Sequence, residues 1–276
     1  MSSSNAASAL ARLRARLAHL YALADETLPI PGTSRPYTIT LPASPDDPLD
    51  RFAASTQPRV SAQSTRRAEP RELSAVALAA GQARLTVAAG VHMPYWALLW
   101  PSGLALAEAL LAESEAVQGR RALELGCGLG VTATAALAAG ARLTAADCYA
   151  EALLFARYNA LRNAGRAPRT LLLDWRTEAG RAACLAAGPF DLLLAADVLY
   201  EMENLAPLLG LVPRLLVPGG ACWLAEPGRR VSLAFVAAAR EAGWRDHETI
   251  FDRAWPPDGD EARVAVHRFT LPDLSG

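Results

Sequence analysis

From about residue 82 onward, short apolar runs alternate with longer stretches in which apolar residues recur at helical spacing. Runs at 121–126, 141–146, 169–174, 190–196 and 220–226 read as strands buried on both faces, because a half-wetted strand would alternate polar and apolar residues. Ala83–Val87 reads as an earlier strand. The intervening stretches at 130–139, 150–164, 177–187, 203–216 and 231–242 predict helices, and another is expected to run to about 115. Such alternation specifies a parallel sheet with helices on both faces. The close differs: His247–Arg253 and Arg263–Leu271 are extended segments joined by the turn-rich Trp255-Pro-Pro-Asp-Gly-Asp260. The expected fold is therefore α/β, a doubly wound, mostly parallel seven-stranded sheet with an antiparallel C-terminal hairpin.

The first eighty residues follow another pattern. Residues 6–24 predict an amphipathic helix, with Leu10, Leu13, Leu17 and Leu20 on one stripe and Arg12, Arg14 and Arg16 away from it. A docked or partner-binding helix is the main reading; the Ser- and Arg-rich, acid-poor start also resembles a mitochondrial transit peptide. Residues 31–73 are rich in Pro, Ser and Thr, with a strand candidate at Tyr37–Leu41 and a loop expected around 53–70. The division expected is an extension over 1–81 and a main domain over 82–276.

Composition narrows the function classes. The chain has 276 residues, 52% of them hydrophobic, which suffices for a large core, and no apolar run is long enough to cross a bilayer. A soluble, cytoplasmic protein is expected. A net charge of −1 gives no general pull toward nucleic acid or anionic membrane. All 27 basic residues are arginine, which excludes a Schiff-base lysine, a phosphate-loop lysine and self-modification on a lysine side chain. Cys127, Cys148, Cys184 and Cys222 have no metal-ligand spacing and read as small buried fillers, although Cys127 and Cys148 fall where a ligand would lie.

The chemistry gathers at strand ends, where ligands bind in doubly wound sheets. After the strand at 121–126 comes Glu124-Leu-Gly126-Cys-Gly128-Leu-Gly130, a glycine turn that lets a ligand approach bare peptide groups. Glu124 is costly in an apolar strand unless it has a partner. A dinucleotide fingerprint needs its third glycine where Val131 stands, which disfavours an NAD-linked oxidoreductase. The next strand ends in Asp147, about twenty residues on, where a carboxylate meets ribose hydroxyls. Asp174 is placed to accept from an adenine amino group, and Trp175 to stack on the ring. Asp197 and Tyr200 end the next strand, and Glu226 adds a carboxylate to the same rim.

Over roughly residues 83–270 these features resemble class I, seven-β-strand S-adenosylmethionine-dependent methyltransferases. Within that class the chain is similar to the protein lysine methyltransferases, the group that includes the electron-transfer-flavoprotein β-subunit lysine methyltransferase and bacterial nicotinamide-N-methyltransferase-like proteins. Pro94-Tyr-Trp-Ala-Leu-Leu-Trp-Pro-Ser-Gly103, the D-x-x-Y of Asp197–Tyr200 and Glu226-Pro-Gly-Arg229 carry the resemblance. Relatives typically have Asp where Glu226 stands. The resemblance implies S-adenosyl-L-methionine as cofactor, with Trp100 and Ser102 bordering its methionine part. Glu124, Gly126, Cys127, Gly128, Gly130, Asp147, Asp174, Trp175 and Asp197 complete the expected cofactor set.

Asp197 and Tyr200 are the expected catalytic pair, with Asp197 orienting an amine or taking its proton through water and Tyr200 positioning it. Trp96 and Trp100 offer aromatic faces to positive centres. The expected acceptor is a protein lysine, with a small amine as the alternative. A non-catalytic cofactor-binding module is the rival outside enzymes. Nucleic acid is not an expected partner, since no basic stripe and no N-P-P-Y-type sequence is present; neither is a membrane, and no metal is expected.

Overall fold

The computed structural model describes residues 3–44, 46–56, 94–254 and 261–272. Among them, seven strands form one sheet: β3 (Arg121–Leu125), β4 (Arg142–Asp147), β5 (Arg169–Leu172), β6 (Phe190–Ala196), β7 (Leu216–Glu226), β8 (Arg245–Ala254) and β9 (Glu261–Thr270). Their order is β5-β4-β3-β6-β7-β9-β8, with β9 antiparallel to both neighbours and the β3–β7 pairs parallel. The order reverses between β3 and β6, so their carboxyl ends open a crevice.

Double burial explains the uniformly apolar strands. In β6, Leu192 and Leu194 enter one core while Leu193 and Ala195 enter the other. The first face is covered by α3 (Pro101–Ala112), α5 (Val131–Ala138) and α6 (Ala150–Ala164), with α4 (Ser114–Val117) a single turn. The opposite face carries α7 (Glu178–Ala187), α8 (Leu205–Leu215) and α9 (Arg230–Glu241).

The N-terminal region departs from the sequence expectation. Helix α1 (Ser3–Leu20) stops before residue 24, and Leu23–Leu28 forms strand β1, paired antiparallel with β2 (Tyr37–Pro42). Local sequence offers no breaker there; tertiary pairing decides. Asp25 accepts hydrogen bonds from the Thr40 hydroxyl (2.6 Å) and from Arg162 of α6 (2.8 Å), which holds the ribbon to that helix. A further helix, α2 (Asp46–Thr56), takes residues 53–56 out of the expected loop. The rest of that loop, the strand Ala83–Val87 and the 255–260 turn lie outside the described residues.

Asn159 ties the ribbon to the glycine turn. Fully buried on α6, it pairs with both backbone groups of Thr40 at 2.9 Å and donates to the Leu129 carbonyl at 2.9 Å. One side chain thus acts as a strand neighbour for the extension and as a brace for the site.

Candidate functional site

At the crevice lies an open-sided cleft of about 980 Å³, including the solvent at its mouth. Its floor is the glycine turn, in which Gly126, Gly128 and Gly130 all have positive φ (70°, 48° and 81°). Packing as much as ligand access requires them. A Cβ on Gly130 would lie 2.5 Å from Ala156 Cα, and one on Gly126 would lie 2.9 Å from Val198 Cγ1. Cys127 is buried in this wall; Cys148, expected as a buried filler, is exposed at the mouth.

Two carboxylates face the turn. Asp147 accepts the N–H groups of Gly128 and Tyr149, each at 3.0 Å. Burial nevertheless raises its carboxyl above the usual range, against the pull of those N–H groups. Glu124 is buried at the end of β3, and its Oε2 has no hydrogen-bond partner among the described residues. Burial, with Asp147 nearby, pushes the Glu124 carboxyl well up. A buried carboxylate oxygen without a partner is expensive, and a ligand that brings a cation or N–H donors removes the cost.

Asp174 and Trp175 also line the cleft. Asp174 is gripped by Arg176 through Nε (2.8 Å) and Nη2 (2.9 Å), so an adenine amino group would have to share it with a guanidinium. Trp175 is buried, and part of it packs in the core.

The opposite wall is aromatic and charge-paired. Asp197 follows β6 with φ 53°, the one described non-glycine residue in left-handed geometry. Such strain at a strand end is characteristic of functional positions. Arg229 forks its carboxylate through Nε (2.7 Å) and Nη2 (2.9 Å) and lies 5.8 Å from the centre of the Trp100 ring. The Trp100 indole donates to the Tyr95 carbonyl at 2.9 Å, and Tyr95 meets Tyr200 edge to face at 5.5 Å. Partial desolvation raises the Tyr200 hydroxyl above the ordinary phenol value, although the residue stays exposed at the mouth.

Several sequence expectations need correction. Ser102 is not on the cleft wall: α3 begins at Pro101, which turns Ser102 into the core, where its hydroxyl has no partner among the described residues. Trp96 lines the cleft but is buried there, packed against Tyr21, Tyr149 and Phe155. The Trp100 face is already covered by the chain's own Arg229. Glu226 points away from the rim, toward Gly228 N–H (2.7 Å), Ser232 and His267. The remaining candidates, Trp100, Glu124, Gly126, Cys127, Gly128, Gly130, Asp147, Asp174, Trp175, Asp197 and Tyr200, all line the cleft.

Sequence reasoning missed Arg176 and the fork of Arg229 on Asp197. It also missed Asn204, buried on the cleft wall, whose Nδ2 donates to the Val198 carbonyl (2.9 Å) while its Oδ1 has no partner among the described residues. Only Arg229 left a trace, in its place within Glu226–Arg229.

The donor set fits the expected cofactor. Unpartnered acceptors on Glu124 and Asn204 suit a ligand rich in N–H and O–H donors, and the acidic floor suits positive charge. Glu124 and Asp147 would hold its ammonium and hydroxyl groups, and Asp174 and Trp175 its adenine.

A family model described as "Lysine methyltransferase" matches residues 84–236, more than half of the chain. The electron transfer flavoprotein beta subunit lysine methyltransferase of Xenopus laevis is 39% identical over 119 residues, covering 42% of this chain and 44% of that protein. A ubiquinone biosynthesis O-methyltransferase of Methylocella silvestris is 30% identical over 136 residues, covering 48% and 51%. The chain thus spans about half or less of the length of these relatives. Among solved structures, the N-methyltransferase NodS from Bradyrhizobium japonicum, in complex with S-adenosyl-l-homocysteine, overlaps 63% of this chain and 89% of its own at a TM-score of 0.49 and 20% identity.

Proposed function

The chain belongs to the lysine methyltransferase family, and on that premise we propose that it transfers a methyl group from S-adenosylmethionine to a lysine side chain of another protein. Within the family, one observation carries the donor assignment: the unpartnered Glu124 carboxylate beside Asp147, against a glycine turn. A ligand that brings ammonium and hydroxyl donors satisfies the unpartnered oxygen, whereas the phosphate oxygens of a dinucleotide offer it no donor. The names of the flavoprotein-subunit relatives support the lysine acceptor.

S-adenosylmethionine, when bound, would supply an electrophilic methyl on sulfur, the C–S pair staying with sulfur as the N–C bond forms. This chain's residues have to align the amine and leave it neutral. A lysine ammonium has an ordinary pKa near 10.4, and nearby positive charge favours its neutral form. Arg229 offsets the charge of the Asp197 carboxylate it forks, so the amine meets no net anion there that would hold it protonated. Its fork occupies two acceptor sites of Asp197; those remaining can take an amine N–H, so Asp197 orients the amine rather than serving as a free base. The protonated Tyr200 hydroxyl at the mouth accepts from or donates to the same nitrogen.

The 30%-identical O-methyltransferase keeps a small-molecule acceptor as the second reading. Incubating the chain with methyl-labelled S-adenosylmethionine and a cell lysate separates the two. Label in acid-precipitable protein supports the lysine reading; label confined to the soluble fraction replaces it.

A further inference from the structure

A buried charge cluster lies under the C-terminal hairpin, outside the cleft. His267 of β9 places Nδ1 2.9 Å from Asp246 Oδ2, and its Nε2 faces Glu226 Oε1 at 3.7 Å. The charged groups facing the imidazole are Glu226 from β7 and Asp246 and Glu248 from β8. Arg240 of α9 closes the outer side, bonded to Asp246 and to Glu248 (2.9 Å), so the carboxylates are shared with a guanidinium rather than open to an ion. Phe269 stacks on the ring at 5.5 Å. Three carboxylates around one buried imidazole keep it protonated, with its pKa raised to about 9.

The cluster reaches the cleft through one turn. Glu226 Oε2 accepts the Gly228 N–H at 2.7 Å and the Ser232 hydroxyl, and Ser232 Oγ lies 2.8 Å from the Arg229 carbonyl. Glu226 therefore holds Gly228 and Ser232, which lie on either side of Arg229 in the chain, and Arg229 is the residue that forks Asp197 and covers Trp100. Nothing in the methyl-transfer step calls for a buried carboxylate facing a histidine here; holding the turn gives the pair a use.

We propose that His267 and Glu226 are positioning residues: their buried contact fixes the 226–229 turn so that Arg229 keeps its fork on Asp197. This rests on reading the cleft as the methyl-transfer site. Loss of the imidazolium charge sets a bare nitrogen against the Glu226 carboxylate, loosens the turn and frees Arg229 to leave Asp197. Amine alignment would suffer, while the donor floor at Glu124 and Asp147, on other strands, would not.

The test follows the side-chain nitrogen resonances of arginine in the full chain, with Arg229 assigned from an Arg229→Lys spectrum and Arg162 as internal reference. Arg162, on α6, is paired with Asp25 of the N-terminal ribbon. Between pH 7 and 10 the Arg229 Nε resonance should shift with a midpoint near 9 while Arg162 stays fixed. His267→Gln should abolish that titration. Ser232→Ala, a mild change that leaves every charge in place, should speed Arg229 Nε–H exchange about tenfold relative to Arg162 by removing the charge-assisted bond to Glu226. General destabilisation would move both arginines together.

An Arg229 resonance indifferent to pH, and unchanged in Ser232→Ala, overturns the proposal even if His267→Gln fails to fold. Calorimetry with S-adenosylhomocysteine is run alongside. Failure of the wild type to bind it overturns the reading of the cleft, whereas the arginine signals need no ligand and judge the positioning pair separately.

Discussion

Glu124, Asp197 and Gly130 each pair a local cost with a use at the cleft. Glu124 was legible because a carboxylate interrupts an apolar strand; that it stays unpartnered was not, because that depends on what packs around it. Its raised carboxyl predicts two linked effects. Glu124→Gln should raise the ligand-free melting temperature at neutral pH by about 2–4 °C, since ionising the buried group costs stability as pH rises through its raised pKa. The same change should weaken S-adenosylmethionine binding about tenfold or more, a buried charged hydrogen bond being lost; a calorimetric titration measures it. Asp197→Asn keeps a residue tolerant of left-handed geometry. It should lower methyl transfer by about a hundredfold, through misalignment of the amine, while S-adenosylhomocysteine affinity changes little. Gly130→Ala meets backbone of α6 at 2.5 Å and should destabilise by about 2–4 kcal/mol in thermal unfolding. The roles of Arg176, Arg229 and Asn204 escaped the sequence reading because they arise from rotamers and pairing across the crevice, which no spacing encodes.

Among the elements, β3 to β7 were legible because burial on both faces leaves strands uniformly apolar, and the hairpin because two extended segments flank a turn. The α1–β1 boundary was not. Leu23-Ala-Asp-Glu-Thr-Leu28 carries no breaker, and only its register against β2 and the bonds to Asp25 make it a strand. Helix α2, with acidic residues in its first turn, lay hidden in a segment whose Pro and Ser content reads as loop. The hairpin also brings a pH dependence. His267 has a folded pKa of about 9 against an ordinary 6.5, so its contribution is complete below about pH 6.5 and disappears as pH rises through 9. Asp246 and Glu226 are held below their ordinary values, so their share is complete near neutrality and is lost on acidification. Urea midpoints should therefore fall between pH 7 and 9.5 in wild type, and the fall should be smaller in His267→Gln.

For the molecule as a whole, the N-terminal ribbon and the glycine turn share one brace. Asn159→Ala would leave the Thr40 N–H and the Thr40 and Leu129 carbonyls without that partner, at about 1–3 kcal/mol each before relaxation. The expected result is a melting temperature lowered by several degrees together with weaker S-adenosylhomocysteine binding, because the loss spans both the ribbon and the cleft floor. If binding is unchanged at the lower stability, the extension is only a support. This coupling was invisible in sequence: Thr40 and Asn159 lie far apart in the chain, and an Asn inside a helical stretch reads as ordinary polar surface. The same holds for Tyr21, which reaches from the end of α1 to Trp96 in the cleft wall.

The chain's lack of lysine makes the acceptor question sharp, because any methyl-lysine formed must come from another molecule. Wild type and Asp197→Asn are each incubated with methyl-labelled S-adenosylmethionine and a lysate, the protein fraction is hydrolysed to amino acids, and the labelled species is identified by mass spectrometry. Methyl-lysine from the wild type, falling about a hundredfold with Asp197→Asn, is the expected result. Label on another residue type, or methyl-lysine formed equally by both proteins, would contradict it.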